Sequence, residues 1–180
     1  MTEAFWSNKE SDPKRKFRWY LQLSVDHGAD LLQIAAKTID KPKFEITNTQ
    51  HQFINHQFNF PGRVKWNTIN ATFVDLASSG GDTADVAETF YDLLESSGYA
   101  RPITKELCRE SITKQESVDA WGSNFQILQI GSDGNPIEKW ELQNAWISTL
   151  EFGSLDYSTE DLVEITATIV YDWAERTKGQ

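Results

Sequence analysis

The sequence predicts a mainly β protein with one α-helix, an antiparallel sandwich or barrel from which a β-hairpin projects. Two observations favour this class. Strand-like alternation of apolar and polar residues occurs before and after a single good helical pattern, and the turns between the strands are short, without a strand-helix-strand rhythm. The 180 residues fit one domain with a sizeable core.

The N-terminal half supplies the first strands. Residues 1–15 are interpreted as an arm, and residues 17–25 (FRWYLQLSV) alternate like a half-buried strand. Residues 31–37 (LLQIAAK) are expected to be the strand that partners it in a hairpin. In residues 63–75 the apolar phase shifts, which indicates a bulge or a strand buried on different faces along its length.

The single helix is predicted over residues 83–97. Asp82 or Thr83 can cap its start and Gly98 can end it. Its apolar stripe is Val86, Ala87, Phe90, Leu93 and Leu94. A sheet face is the expected partner of this stripe because no second helix of comparable quality is visible.

The C-terminal half begins with a polar insertion at residues 100–120, in which a short helix around residues 105–109 is possible. Strands are predicted at residues 125–130, 137–147 and 162–173. In the second of these, Trp140, Leu142 and Trp146 are expected to share a face. In the third, the expected apolar face is Val163, Ile165, Ala167, Ile169, Tyr171 and Trp173.

Residues 43–60 predict an unusual hairpin. Its two extended segments are expected to be separated near Asn48 to Gln52, and Pro61 and Gly62 are expected to end it. Residues 51–60 (HQFINHQFNF) contain no charged residue, and a bare uncharged strand invites pairing with other strands. The hairpin must therefore be covered, either by its own sheet or by another subunit. The absence of protecting charges favours another subunit, with these side chains as the inter-subunit contacts: Phe44, Ile46, Phe53, Ile54, Phe58 and Phe60.

The charge balance argues against a duplex-binding protein. The formal net charge is −10, whereas phosphate neutralisation requires a basic surface. The one basic cluster, KRKFR at residues 14–18, is interpreted as a solvated arm and strand end. No apolar run approaches the roughly 20 residues of a membrane helix, and the N-terminus has no hydrophobic signal core, so synthesis in the cytosol is expected.

No catalytic, cofactor or metal site is predicted. His51 and His56 would point to opposite faces of an extended strand, although a hairpin bend could bring them together, and Cys108 has no nearby histidine base. The SSGGDT segment at residues 78–83 lacks the lysine and spacing of a phosphate loop. Four carboxylates lie close together in sequence around a predicted turn: Asp156, Glu160, Asp161 and Glu164. Proximity in sequence does not indicate the raised pKa that a general acid needs. The seven tryptophans could line a sugar platform, but several lie on apolar strand faces and are interpreted as core or interface residues.

The order of motifs along the chain resembles that of the tail tube proteins of contractile-tailed bacteriophages. The resemblance is carried by WELQNAWI at residues 140–147, LDYSTEDLVEI at 155–165 and VYDW at 170–173. FRWYLQL, KPKFEIT, PGRVKWNTINATFVD and the helix precede them in the same order as in that family. The similarity covers nearly the whole chain except residues 100–120.

This resemblance implies a structural role. Members of that family form hexameric rings whose strands join into a continuous inner β-barrel, and the rings stack inside a contractile sheath. A hairpin between early strands reaches the adjacent ring, and in this sequence it corresponds to residues 43–60. The implied partners are further copies, a sheath protein, and baseplate and terminator proteins, in a virion tail assembled in the host cytoplasm.

The stacked rings would enclose a central bore, through which phage DNA would pass without specific binding. The net charge of −10 suggests that this bore is negatively charged. Lumen-facing carboxylates, with Glu141 and Glu164 as candidates, would repel phosphates over a Debye length of about 8 Å.

The alternatives to a phage tail tube protein are a tube protein of a secretion or injection device, a baseplate protein that caps the tube, and a monomeric ligand- or glycan-binding β-sandwich. A hydrolase is a further alternative.

Overall fold

The fold is known from a computed structural model, which describes residues 13–24, 29–77, 85–103, 111–121 and 125–179. Ten strands and three helices occur in these residues. In chain order they are β1 (Trp19–Leu23), α1 (Ala29–Ala35), β2 (Ala36–Ile39), β3 (Lys43–Phe53), β4 (His56–Asn67), β5 (Ile69–Val74), α2 (Val86–Ser96), α3 (Lys114–Ala120), β6 (Phe125–Ile130), β7 (Pro136–Gln143), β8 (Trp146–Glu151), β9 (Glu164–Val170) and β10 (Trp173–Lys178).

The strands form a sandwich of two antiparallel sheets and a separate hairpin. Sheet A has the order β1-β6-β7-β10, sheet B has the order β2-β5-β9-β8, and β3 pairs with β4 alone. One buried cluster contains residues of both sheets, among them Leu21 and Ile127 of sheet A and Phe73 and Ile165 of sheet B. The predicted antiparallel sandwich with a projecting hairpin is therefore confirmed.

The prediction of a single helix is wrong. Residues 31–37 were expected to form a strand, but most of them belong to α1, which buries Leu32 and Ala35. These residues are three apart, and a short apolar run fits a helix or a strand equally well from its pattern alone. The strand β2 begins only at Ala36. The third helix, α3, lies in the polar insertion, whereas residues 105–109 fall outside the described residues.

The predicted helix at residues 83–97 is observed as α2. Its N-cap is Asp85, whose Oδ1 accepts a hydrogen bond from the Glu88 amide at 2.6 Å. Both predicted caps, Asp82 and Thr83, lie outside the described residues. Gly98 follows the helix with a φ of 96°, as its predicted role in ending the helix requires.

The apolar stripe of α2 packs on a sheet, as predicted. Phe90 meets Phe73 of β5 in an edge-to-face contact with 5.1 Å between ring centroids. Trp121, which follows α3, also lies next to Phe90, with 6.3 Å between the ring centroids. The helix therefore closes one side of the core over sheet B.

Two predicted strands are each divided between the two sheets. Residues 137–147 pass from β7 to β8 through Asn144, which has a φ of 54°, so Trp146 belongs to sheet B and does not share a face with Trp140 and Leu142. Residues 162–173 pass from β9 to β10 at Asp172, so Trp173 leaves the predicted buried face and is 44% exposed. The alternation within β9 itself is confirmed.

The carboxylate of Asp172 connects these two crossings. It accepts hydrogen bonds from Lys114 Nζ at 2.9 and 2.7 Å and from Asn144 Nδ2 at 2.6 Å. The hydrogen bond from Lys114, followed by that from Asn144, lowers the pKa of Asp172 below its usual value. The Asp172 side chain thus connects the crossing at Asn144 and the crossing at Asp172 with α3.

Within the described residues, no helix is both long and apolar enough to span a membrane.

Candidate assembly surfaces

The hairpin formed by β3 and β4 is longer than predicted and projects from the sandwich. Residues 48–52 continue as strand, and the turn lies at Ile54 and Asn55, where Ile54 has a φ of 51°. Pro61 and Gly62 do not end the unit, because β4 runs on to Asn67. The proline is tolerated here because β4 has a strand partner on one side only.

The hairpin exposes the apolar side chains that the sequence singled out. Every residue of β3 is exposed, and so are residues 56–65 of β4. The predicted contact residues are all at least half exposed: Phe44 55%, Ile46 53%, Phe53 60%, Ile54 86%, Phe58 50% and Phe60 55%. Their own sandwich therefore does not cover them, and the expectation that they contact another subunit stays a prediction.

The base of the hairpin carries an apolar face. Phe44 lies opposite Trp66, with 5.3 Å between ring centroids, and Ile46 lies opposite Val64. Trp66 in turn contacts Tyr171 of the sandwich at 6.0 Å. This ring-to-ring chain fixes the direction in which the hairpin leaves the sandwich.

A β-bulge interrupts the hairpin above its base. The register shifts between Ile46 and Asn48, so that Gly62 and Arg63 both stand opposite Thr47. The Arg63 amide donates to Thr47 Oγ1 at 2.8 Å. A Cβ on Gly62 would lie 2.4 Å from the same oxygen, which explains why glycine occupies this position.

The bulge moves the apolar residues to the opposite face of the hairpin. Because β4 gains one residue there, its even-numbered side chains change face, while β3 alternates without interruption. On the outer half, one face is aromatic, with His51 opposite Phe58 and Phe53 opposite His56. The other face consists of amides and a proline: Asn48, Gln50, Gln52, Gln57, Asn59 and Pro61. The hairpin thus presents two apolar patches that point in opposite directions.

The register also places His51 and His56 on the same face, because the turn at residues 54–55 folds the strand back. On a single extended strand the two histidines would lie on opposite faces, and the turn between them brings them to the same face. Among the described residues, no group of three or more histidine, cysteine, aspartate or glutamate side chains could hold a metal ion. His27, Cys108 and the SSGGDT segment lie outside the described residues.

The two candidate lumen carboxylates lie on different sheets. Glu141 is on the outer face of sheet A and forms an ion pair with Lys139 at 3.0 Å. Glu164 is on the outer face of sheet B and pairs with Lys37. A bore lined by one sheet would therefore include at most one of the two glutamates.

A second exposed surface was not recognised in the sequence. The segment that joins β8 to β9 at residues 152–163, here called the acidic loop, exposes Leu155 (88%), Tyr157 (112%) and Leu162 (69%). Carboxylates alternate with these apolar residues, namely Asp156, Glu160 and Asp161. The amide and hydroxyl of Ser158 donate to Asp156 and lower the pKa of this carboxyl group. The sequence showed the carboxylates but not that their apolar neighbours lack cover.

A third feature is a basic cleft beside β1 and β2, which are edge strands of the two sheets. Its volume is about 690 Å³, and it is lined by Lys14, Lys16, Lys37, Lys41, Trp19 and Trp140, among others. Two of these lysines, Lys14 and Lys41, contact Glu138, whose side chain is 5% exposed. Lys14, which belongs to the cluster interpreted as a solvated arm and strand end, is exposed and in addition contacts this buried carboxylate.

Glu138 is shared by several donors. Lys41 Nζ lies 2.9 Å from its Oε1, Arg176 lies 3.6 Å from its Oε2, and Trp140 Nε1 donates to Oε1 at 2.5 Å. With Lys14, three cations thus surround one carboxylate. Burial, followed by repulsion from Lys14 and Arg176, lowers the pKa of Lys41. The burial of Glu138 could have been predicted from the sequence, because the alternation of the strand places Glu138 on the same face as Trp140 and Leu142.

Comparison with known proteins identifies the fold. No family model matches the chain, and no curated protein is significantly similar in sequence. A chain of the anti-feeding prophage baseplate is similar in structure, with a TM-score of 0.65, 13% identity, and coverage of 93% of this chain and 97% of that chain. A chain of the anti-feeding prophage tube-terminating cap gives a TM-score of 0.61 at 13% identity, covering 93% of each chain.

A chain of the sheath-tube complex of the PVC extracellular contractile injection system is also similar, with a TM-score of 0.59, 12% identity and 92% coverage of both chains. These matches extend over nearly the whole chain in both directions. The protein therefore has the fold found in these baseplate, cap and sheath-tube assemblies of contractile particles.

Proposed function

We propose that the protein is a structural subunit of the tube of a contractile tail, which assembles into hexameric rings that stack inside a sheath and form a conduit for phage DNA. The observation that carries this proposal is the hairpin, an arm with an uncharged outer half and two apolar patches on opposite faces. An isolated two-stranded hairpin is marginal in water, so an arm of this kind requires cover from other chains.

The composition of the arm suits cover by further copies. Its outer half has no ion to desolvate, and its amides can satisfy backbone groups of a partner strand. Contacts between unlike surfaces can close into rings or continue as stacks. Because the two apolar patches point in opposite directions, the arm can meet different surfaces of neighbouring copies. The shared fold with chains of a six-fold symmetrised baseplate and of a sheath-tube complex supports the same role.

A second candidate is a subunit that ends the tube. It is favoured by the similarity to a tube-terminating cap and to a sheath/tube terminator, the latter with a TM-score of 0.63 and 12% identity. The two candidates differ in assembly, since a tube subunit polymerises without limit whereas a terminator stops at a ring. A tube from an injection device would polymerise in the same way as a tail tube.

Electron microscopy of the purified protein and of the variant Phe58→Asp tests the proposal. The wild type is expected to form tubes, and the variant is expected to remain as rings or monomers, because a carboxylate on the aromatic patch would be desolvated in the contact. Gln115→Asp, which adds the same charge on the exposed surface of α3, is the control and should leave tubes intact. Rings alone in the wild type would favour the terminator, and dispersed monomers that bind glycans would contradict both candidates.

The proposal also includes a negative bore, and either sheet could supply it. The outer face of sheet A carries Lys139 with Glu141 and Glu175, and that of sheet B carries Lys37 with Glu151 and Glu164.

We expect a cryo-electron microscopy structure of the tube to show more carboxylates than cations along the lumen, which would prevent adhesion of DNA phosphates. A neutral or basic lumen would refute this part of the proposal.

A further inference from the structure

We propose that the acidic loop of one copy docks in the basic cleft of a neighbouring copy. This inference rests on the self-assembly proposed above and identifies a contact that the hairpin does not supply. It is carried by three observations: the charge of the cleft, the exposure of the loop, and the positions of the two beside opposite edges of sheet B.

Among the described residues, the cleft and its border carry more cations than carboxylates. Lys14, Lys41 and Arg176 share the buried carboxylate of Glu138. Lys16 lines the same cleft. A chain with a net charge of −10 therefore concentrates cations at this point, and an occupant that brings carboxylates would relieve their mutual repulsion.

An occupant that fits the walls of the cleft needs apolar groups as well as negative charge. Trp19, Ile39, Ile127 and Trp140 supply apolar surface between the lysines. A volume of about 690 Å³ has room for several side chains. The fitting occupant is thus a peptide segment in which acidic and apolar residues alternate.

The acidic loop has this composition. Leu155, Tyr157 and Leu162 are exposed and fit the apolar walls, while Asp156, Glu160 and Asp161 fit the lysines. The loop does not suit the apolar patches of the hairpin, where its carboxylates would be buried without partners. An exposed apolar segment of this density indicates an interaction site.

The topology separates the loop from the cleft of its own copy. The cleft is bordered by β2 and the loop leaves β8, and these strands form the two edges of sheet B. Three strand spacings put them roughly 14 Å apart. A contact from the loop edge of one copy to the cleft edge of the next is head-to-tail, the type of contact that closes a ring.

Cross-linking between differently labelled copies tests the contact directly. Full-length protein labelled with ¹⁵N is mixed with unlabelled protein under dissociating conditions, reassembled, and treated with a zero-length carbodiimide that joins lysines to carboxylates. We expect peptides that join Lys14, Lys16 or Lys41 of one label to Glu160 or Asp161 of the other. Links from these lysines to loop carboxylates of the same label alone, or to acidic residues among residues 1–12, would overturn the proposal.

Charge reversal gives a second test with an internal control. The loop variant Glu160→Lys/Asp161→Lys and the cleft variant Lys16→Glu/Lys37→Glu, which leaves the cations around the buried Glu138 in place, should each raise the critical assembly concentration on the order of tenfold. The combined variant should recover most of the loss, because the charges are exchanged and not removed. Asp92→Lys on the exposed side of α2 is the matched control and should have little effect.

The outcomes separate this inference from the proposed function. If the wild type forms rings or tubes without any hybrid cross-link, or if the combined variant is as impaired as the sum of its parts, the docking is overturned while the tube role stands. If no assembly and no hybrid cross-link occur at any concentration, both are overturned. Tight binding of DNA to the lysines of the cleft in assembled tubes, lost in the cleft variant, would also overturn the docking.

Discussion

The sandwich and the hairpin use similar side chains in opposite ways. In the sandwich, Phe73 and Phe90 are at most 1% exposed and contact each other, whereas Phe58 and Phe60 on the hairpin are 50% and 55% exposed. Both regions consist of antiparallel paired strands and both contain register shifts, so local structure does not distinguish them. The difference lies in the number of layers, because the sandwich has a second sheet to cover its apolar face and the hairpin does not.

We expect the two regions to differ in what stabilises them, because only the sandwich covers its apolar faces within one copy. The sandwich buries its apolar side chains within one copy. Because the predicted contact residues of the hairpin are half exposed or more, we expect the hairpin to contribute little to the stability of that copy. Under the proposed function, its apolar surface would stabilise the protein once another chain covers it.

The largest effect is expected from Phe73→Ala in the sandwich. Removing a fully buried aromatic ring leaves a cavity beside Phe90 and should lower the free energy of unfolding by about 3–5 kcal/mol. Urea titration followed by tryptophan fluorescence measures the change. A loss below about 1 kcal/mol would mean that the sandwich core is not the stabilising unit.

An intermediate effect is expected from Asp172→Asn at the strand crossings. The variant weakens the charge-assisted hydrogen bonds from Lys114 and Asn144, and since the carboxylate is partly exposed we expect a loss of about 1 kcal/mol at neutral pH. Because folding lowers the pKa of Asp172, its contribution is complete above the ordinary carboxyl pKa near 4 and is lost as pH falls through the folded value.

Stability measured from pH 7 down to pH 2 therefore should show wild type and Asp172→Asn converging in acid. Asp92→Asn, on the exposed side of α2, serves as the control for changes in net charge. A difference between wild type and Asp172→Asn that does not vary with pH would contradict this role of the carboxylate.

The smallest effect is expected from Phe58→Ala on the hairpin. The substitution is chemically the same as Phe73→Ala, yet in dilute monomer it should change the free energy of unfolding by less than about 0.5 kcal/mol, because the ring is half exposed and lies on a single layer. Sedimentation confirms the monomeric state of the sample. A loss comparable to that of Phe73→Ala would place the hairpin within the folding unit of its own copy.

Much of the sandwich was predictable because its signals are local. The alternation in β1 and β9 is regular, β6 is a short apolar run, and the stripe on α2 recurs at helical spacing. The apolar, uncharged character of Phe53 to Phe60 likewise identified the hairpin. The helix α1 was missed because seven residues fit either period.

Other features depended on contacts that no local pattern contains. Trp146 and Trp173 were assigned to the wrong faces because the strands that carry them cross between sheets at Asn144 and Asp172. The basic cleft forms only when Lys14 and Lys41 reach Glu138, which is 97 positions beyond Lys41 in the chain.

The order of apolar, amide and charged residues along each strand is enough to predict a β-rich core and an extended arm with an uncharged outer half. The packing in three dimensions adds which apolar residues remain uncovered, that the extra residue at the bulge beside Gly62 places the patches of the arm on opposite faces, and that cations surround Glu138. Burial and electrostatic energy depend on distances between segments far apart in the chain, and local periodicity does not contain those distances.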